Sequence, residues 1–532
     1  MTVAPMPAPD SVHVWSVPDG PPLASESDSE TNWSTGGIQI SLTPGADGLR
    51  VTAVAERTGL SRIALRWNEG IPERSLVLGD AWERSYGDLG WAPARPERIL
   101  PWYWLSESAQ GIRGAGVRVR PGAMAFWTVD SAGVTLWLDT RSGSSAVHLG
   151  ERTLEVATVV GLRADEGSSA FSAQQELCAA LCSDPIQMTQ PLVGCNNWYY
   201  AYGENFDADA VVRDAAMISV ASDGHSVRPF CVIDAGWSHG SSGAPGGPWI
   251  RGADSFDNMS AVADRIRAEG ARPGLWFRPL LTRDQSMLTR NSILDGEWPM
   301  DPSREDVLEQ VKNDAACFVE WGYDLIKHDF STFDTLGHFV PGTDLGMERV
   351  PWSFADQTRT SAEVFVGLYQ AVRDGAAGAT LIGCNTIGHL SAGLVDAQRT
   401  GDDTSGRHWE RTRRMGINTL AFRLAQHKTF FTVDADCVAA TPSTPWEKNR
   451  QFLDLVAQSG TALFVSIDPR SRDAKVDDDV RRAIRVASDG GAPGGIEPLD
   501  WQWTSAPQRW RINDSETEYR WNQPWSADLR LD

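Results

Sequence analysis

The chain has 532 residues, enough for two or three domains with a sizeable core. Its hydrophobic fraction of 41% and charged fraction of 22% are those of a soluble globular protein. A formal charge of −22 argues against nucleic acid or an anionic membrane as the principal partner, and no basic patch with interleaved aromatics offsets it.

The opening residues Met1-Thr-Val-Ala-Pro-Met-Pro-Ala-Pro-Asp10 lack the basic region and apolar core of a signal peptide. No uninterrupted apolar run approaches the roughly 18 residues of a membrane span. The cysteines are seven, scattered, and in no Cys-x-x-Cys pair, which suits free thiols in a reducing compartment. A cytoplasmic protein is expected. Tryptophan is abundant, 23 against 8 tyrosines. Its broad apolar face with one donor suits sugar rings, although cores use it too.

Residues 1–185 carry short alternating runs between turn residues, such as Gly37-Ile-Gln-Ile-Ser-Leu42 and Gly133-Val-Thr-Leu-Trp-Leu138. This pattern predicts a β-sandwich. Within it, Leu78-Gly-Asp-Ala-Trp-Glu-Arg-Ser-Tyr-Gly-Asp-Leu-Gly-Trp91 is rich in aromatics and charge and is either a loop that reaches a neighbouring site or, the reading preferred, a packed turn.

After Ser183-Asp-Pro185 the rhythm changes, and apolar strand-like runs alternate with helical ones. The strands are predicted at 192–198, 229–234, 272–277, 323–330, 380–384, 395–399, 428–433 and 462–467. Helices are expected between them, with Asp207 and Ser303 as caps. Eight such units over about 280 residues predict an α/β fold, a (β/α)8 TIM barrel spanning 186–468, with a doubly wound open sheet as the competing arrangement. The stretch Gly240-Ser-Ser-Gly-Ala-Pro-Gly-Gly247 reads as a loop. Residues 469–532 are expected to form a small C-terminal β domain, with a strand at Arg481–Ala487.

In such a barrel, chemistry sits at the C-terminal ends of the strands. Those ends read Asn196-Asn-Trp198, Asp234-Ala-Gly-Trp237, Trp276-Phe-Arg-Pro279, Lys327-His-Asp329, Cys384-Asn385, Arg399-Thr-Gly-Asp-Asp403 and Asp434-Ala-Asp436. Strand alternation puts Leu325, Lys327 and Asp329 on one face and Ile326, His328 and Phe330 on the other. Lys327 and Asp329 alone could be a structural salt bridge. A ring of carboxylates, amides, tryptophans and cations at successive strand ends is harder to explain as packing. Paired carboxylates without a phosphate loop or metal triad suit glycoside hydrolysis. His-Glu-x-x-His and Gly-x-Ser-x-Gly are both missing, and Gly111-Ile-Arg-Gly-Ala-Gly116 lies in the β region with no helix after it. No metal and no cofactor are expected.

Ile326-Lys-His-Asp329 resembles the nucleophile motif of the retaining α-galactosidases of glycoside hydrolase families 36 and, more distantly, 27. Ile233-Asp-Ala-Gly-Trp237, Gly274-Leu-Trp-Phe-Arg-Pro279, Leu381-Ile-Gly-Cys-Asn385 and Asp396-Ala-Gln-Arg-Thr-Gly-Asp-Asp403 are similar to further segments of family 36, in the same order. The resemblance implies a sandwich, barrel and C-terminal β domain. It implies Asp329 as nucleophile and Asp403, four residues after Arg399, as acid/base, with adjacent Asp402 the rival. It places Lys327, Asp234, Trp237, Trp276, Cys384, Asn385, Arg399 and Trp198 around the sugar. Arg278 departs from the relatives and either meets a substrate substituent or, the reading slightly preferred, pairs with a neighbouring acid. The family usually has a second aspartate where this chain has Ala235, on the galactose C4/C6 side.

The expected activity is therefore a retaining exo-α-glycosidase acting on terminal sugars, α-galactosidase-like. A β-L-arabinopyranosidase, α-N-acetylgalactosaminidase, α-glucosidase or transglycosylase stands beside it, and a non-catalytic carbohydrate-binding protein is the reading from another class. The partner implied is a carbohydrate substrate, with neither nucleic acid nor membrane, and a homo-oligomer is left open.

Overall fold

A computed structural model describes residues 2–29, 31–238, 246–282, 299–337 and 352–521. Most of the expected loop at 240–247 lies outside the described residues. The N-terminal part holds two antiparallel sheets. One runs through Leu76–Gly79, Tyr103–Ser108, Gly111–Val117, Leu154–Ala164, Gly48–Val54 and Ile38–Gly45; the other runs through Met124–Val129, Val134–Asp139, Arg62–Trp67 and Ser11–Trp15. Alternate residues of these strands are buried, as at Val12, Val14, Ile38, Ile40 and Leu42. Trp67, Trp102 and Trp127 fill the core, and the Trp127 ring nitrogen donates to the Trp102 carbonyl at 3.2 Å. Much of the tryptophan excess is therefore structural. A helix, Ala170–Leu181, capped by Ser169, packs on this region where only strands were expected.

The parallel strands follow at Val193–Asn196, Phe230–Ile233, Arg272–Phe277, Leu325–His328, Thr380–Gly383, Ala397–Arg399, Thr432–Asp434 and Leu463–Ile467. Each pairs with the next through the seventh, and the eighth pairs with the first. A parallel bridge between Asp434 and Ala462 joins the seventh to the eighth and closes the ring. All eight fall within or beside the stretches expected from sequence. Near-continuous apolar burial, as in Phe-Cys-Val-Ile 230–233, is what a strand covered on both faces requires.

The helices between them begin where caps allow. Asp207 accepts from the Ala210 amide at 2.8 Å, and Thr360 with Glu363 forms a capping box. Ser303 is not a cap: the helix Glu305–Glu320 starts after Arg304, and the Ser303 hydroxyl accepts from the Asp356 amide instead. The expected strand at Arg481–Ala487 is also corrected, because these residues lie in a helix, Ala474–Ser488, capped by Asp473. Val476, Val480, Ala483, Ile484 and Ala487 recur at helical spacing, and this stripe packs on the barrel's first and eighth strands and on the helix Trp446–Ser459. That helix completes the barrel layer, so the small antiparallel sheet begins only at Ile496–Pro498, with Arg509–Ile512 and Ser515–Glu518.

Candidate active site

The fourth strand ends at His328, and the chain turns through Phe330 at a φ of 62° into a short helix, Ser331–Leu336. Asn385, after the fifth strand, and Asp436, after the seventh, are also left-handed, at φ of 53° and 76°. A non-glycine residue in this region costs roughly 1–2 kcal/mol, and such turns cluster where strand ends present functional groups. Asp329 sits on the first of them. Its carboxylate accepts from the Trp276 ring nitrogen at 2.9 Å and from the Phe330 amide at 2.7 Å.

Lys327 does not pair with Asp329. Its ammonium reaches Asp234 Oδ2 at 2.6 Å, and the Asn196 amide donates to the same oxygen at 2.7 Å. Burial alone would lower the Lys327 pKa, but the Asp234 carboxylate, with smaller contributions from neighbours that include Asp329, more than reverses this and holds it well above the usual lysine range. His328, on the opposite face, is fully buried between Phe277 and Tyr369, and burial pushes its imidazole down to about 3. It is a neutral packing residue.

Asp403 lies four residues after Arg399, whose guanidinium bonds its Oδ1 at 2.8 Å. The other end of Arg399 meets Asp436 at 2.9 Å, so the arginine is buried between two carboxylates. A second cation comes from far away: Arg84 Nη1 stands 3.4 Å from Asp403 Oδ1 and 3.3 Å from Asp402 Oδ1. Burial would raise the Asp403 carboxyl, but Arg399, Arg84 and Lys327 together hold it down at about 2. Asp402 is gripped by Arg84 and by Arg411 at 2.6 Å, and its side chain is 13% exposed against 36% for Asp403.

These groups surround one cavity of about 250 Å³ at the C-terminal end of the strands. It is lined by Trp198, Asp234, Ala235, Trp276, Lys327, Asp329, Phe330, Cys384, Asp402 and Asp403, together with Arg84, Tyr86 and Arg411. The strand-end motifs thus bring seven of the expected site residues into one cavity: Trp198, Asp234, Trp276, Lys327, Asp329, Cys384 and Asp403.

Four expected site residues do not line it. Trp237 is fully buried behind Trp276, donating to its carbonyl at 2.8 Å and packing on Trp249 and Phe318. The turn at Gly236, φ 109°, carries it away, and a Cβ there would stand 2.5 Å from the Gly203 carbonyl oxygen. Arg278 is buried beside Asp334, its Nε 2.9 Å from Oδ2, with Phe330 stacked at 4.4 Å; it pairs with a neighbouring acid, as preferred. Asn385 is buried, its carbonyl accepting from Ser331 and Thr332 and its side chain donating to Glu83. Arg399 does not itself line the cavity; it bonds Asp403, which does.

The residues missed are Arg84, Tyr86 and Arg411. The first two belong to Leu78–Trp91, so reading it as a packed turn is overturned. This segment inserts between strand ends: the Ser85 amide donates to the Thr400 carbonyl, and the Asp402 amide donates to the Ser85 carbonyl, each at 2.8 Å. Buried Arg423 fastens it, forming an ion pair with Asp80 at 2.9 Å and donating to the Glu83 carbonyl. Glu83 itself, 1% exposed, is raised by burial to about 7. The density of charge and aromatics in this stretch was the available signal.

No protein-family profile matches the sequence, and no curated protein does. Solved structures do. The α-galactosidase of Thermus thermophilus, in complex with p-nitrophenyl α-D-galactopyranoside, aligns with a TM-score of 0.59 at 17% identity, over 96% of this chain and 99% of that one. A family GH36 α-galactosidase of Geobacillus stearothermophilus, in complex with 1-deoxygalactonojirimycin, gives 0.60 at 13% identity, over 94% and 79%. The galactosidase domain of an α-galactosidase–sucrose kinase gives 0.61 at 13%, over 96% and 74%. The chain therefore has the fold of the GH36 α-galactosidases, a TIM-like barrel accompanied by β-rich parts. Among the described residues, no helix is long and apolar enough to cross a membrane.

Proposed function

We propose that this chain is a retaining, exo-acting α-glycosidase of the α-galactosidase type. The observation that carries the reading is the placement of Asp329 and Asp403 in one cavity at the strand ends, in different surroundings: Asp329 held by neutral donors, Asp403 by two arginines. A volume of about 250 Å³ lies below the roughly 300–1,000 Å³ of drug-sized sites and suits one terminal sugar ring.

In the first step Asp329 attacks the anomeric carbon, the glycosidic C–O bond breaks, and Asp403 gives its proton to the departing oxygen. In the second step a water adds to the same carbon, Asp403 takes the proton back, and Asp329 is released. Arg399 and Arg84 favour the ionised form of Asp403. Proton donation therefore requires the bound substrate to exclude water, strengthen repulsion from Asp329 and draw Arg84 off the carboxyl. Lys327 and Asp234 form one polar unit that grips sugar hydroxyls, and Trp276 orients the nucleophile.

Ala235 lines the cavity where the resembled enzymes carry a second aspartate. A missing carboxylate removes charged hydrogen bonds of about 1.5–3 kcal/mol each, which favours a sugar with an altered C4/C6 side. The test is hydrolysis of p-nitrophenyl α-galactoside, β-L-arabinopyranoside, α-N-acetylgalactosaminide and α-glucoside, with NMR on the first-formed sugar. Turnover of at least one with retained anomeric configuration is expected. No turnover on all four, or an inverted product, overturns the reading.

A further inference from the structure

A second cavity, larger than the one that holds Asp329, lies elsewhere on the molecule. It is a groove of about 610 Å³ between the N-terminal β region and the C-terminal appendix, lined on one side by 88–98 and on the other by 501–505. Its floor is aromatic and fixed: Trp91 meets Trp501 edge-on at 5.4 Å, and Trp501 rests on Phe171 and Phe422. At the rim stands Trp503, 79% exposed, on a turn in which its amide donates to the Asp500 carbonyl at 3.0 Å. Asp500 in turn accepts from the amides of Gln508 and Arg509, so the turn is held without help from the Trp503 ring. A tryptophan that contributes nothing to the core and is presented on a braced turn has its face free for a ligand.

The polar lining selects among ligands. Asp88 and Glu97 are balanced by Arg95 and Arg98, so the groove favours neither an anion nor a cation. Arg98 is engaged as a brace, donating to the carbonyls of Val77 and Gly90 at 2.7 Å each. Arg95 and Glu97 are exposed. A flat aromatic face with both donors and acceptors around it is the surface for a neutral, hydroxyl-rich ring.

Position supplies the second argument. The segment that forms one wall also delivers Arg84 and Tyr86 to the catalytic cavity, and the Tyr86 amide donates to Asp88 Oδ1 at 3.0 Å. Two residues of chain span at most about 7 Å, so groove and cavity meet along a single strip of backbone. Gly87, at φ 72° with a Cβ position 3.0 Å from the Arg414 carbonyl oxygen, keeps that strip pressed to the barrel.

We propose that this groove is a second carbohydrate-binding site, taking inner sugar units of an oligosaccharide or polysaccharide by stacking on Trp503. Its link to the cavity rests on the glycosidase reading, whereas binding itself does not. The test is native-gel electrophoresis through galactomannan, xyloglucan, arabinan or dextran, in an Asp329→Asn background that suppresses turnover. Retardation by at least one polysaccharide is expected, reduced fivefold or more by Trp503→Ala and largely kept by Trp503→Phe. With Asp329 intact, Trp503→Ala should leave kcat/KM on the aryl glycoside within twofold. Equal retardation of the parent and Trp503→Ala, or none in all four gels, overturns the site. Retardation that depends on Trp503 in a protein that cleaves no glycoside would keep the groove and remove the glycosidase reading.

Discussion

The two carboxylates proposed as catalytic are held by different parts of the chain. The Asp329 side is built within three neighbouring strands: Trp276, Lys327 and Asp234 all lie on the second to fourth strands or at their ends, and each bonds to another member of the group. The Asp403 side is a joint construction. Arg399 approaches from the barrel, while Arg84 arrives from the N-terminal β region 319 residues earlier in sequence. The first half is dominated by neutral donors to its carboxylate, the second by guanidinium groups. A nucleophile and an acid/base must occupy opposite protonation states at the start of the reaction, so the grip of the guanidinium groups on Asp403 has to be loosened when substrate binds.

The sharpest test of this division is removal of Asp329. Asp329→Gly should lower kcat by about 10⁴-fold or more on an aryl glycoside. Added azide should restore turnover with a glycosyl azide of inverted configuration. Full activity without azide would assign the nucleophile elsewhere. On the other side, Asp403→Asn should cost about 10²–10⁴-fold, and less with an activated leaving group, which needs little protonation. Asp402→Asn should cost far less than Asp403→Asn. The reverse ranking would hand the acid/base role to Asp402.

These halves also differ in how visibly the sequence announces them. Ile326-Lys-His-Asp329 is contiguous, and strand alternation alone separates its inward pair from His328. The barrel strands were legible for the same reason, since a strand buried on both faces is an unbroken apolar run. Arg84 was not legible, because nothing local in Leu78–Trp91 specifies which surface the segment meets. Trp237 misled because alternation ends with the strand, and Gly236 then turns the chain. Arg481–Ala487 is too short a window to distinguish period 2 from period 3.6; the helical stripe appears only from Val476.

Arg278 offers a control just outside the two halves, where it packs on the Phe330 ring. It is buried with Asp334, at side-chain exposures of 3% and 0%. Arg278→Met leaves a buried carboxylate without its guanidinium and should cost about 3–5 kcal/mol in urea unfolding. The double variant Arg278→Met/Asp334→Leu should recover most of that loss. A large fall in kcat/KM in a double variant of normal stability would instead give Arg278 a role at the substrate.

The smallest expected effect is the most informative about the joint half. Arg84→Met removes one of the cations that hold the Asp403 carboxyl at about 2, so its pKa must rise. The sign follows from the state the reaction uses. Proton donation needs the protonated acid, so a higher pKa moves the basic limb of the kcat profile, which reports the substrate complex, to higher pH. A displacement of about one pH unit is expected from the loss of one adjacent charge. Arg84→Lys keeps a cation and should sit between the two profiles. If Arg84 merely braced the inserted segment, both variants would lose stability and kcat together while the limb stayed in place. A shifted limb in a protein of unchanged melting temperature would mean that the N-terminal β region sets the acidity of a group on the barrel. The difference between the two halves of the cavity would then be one that Arg84 helps to create.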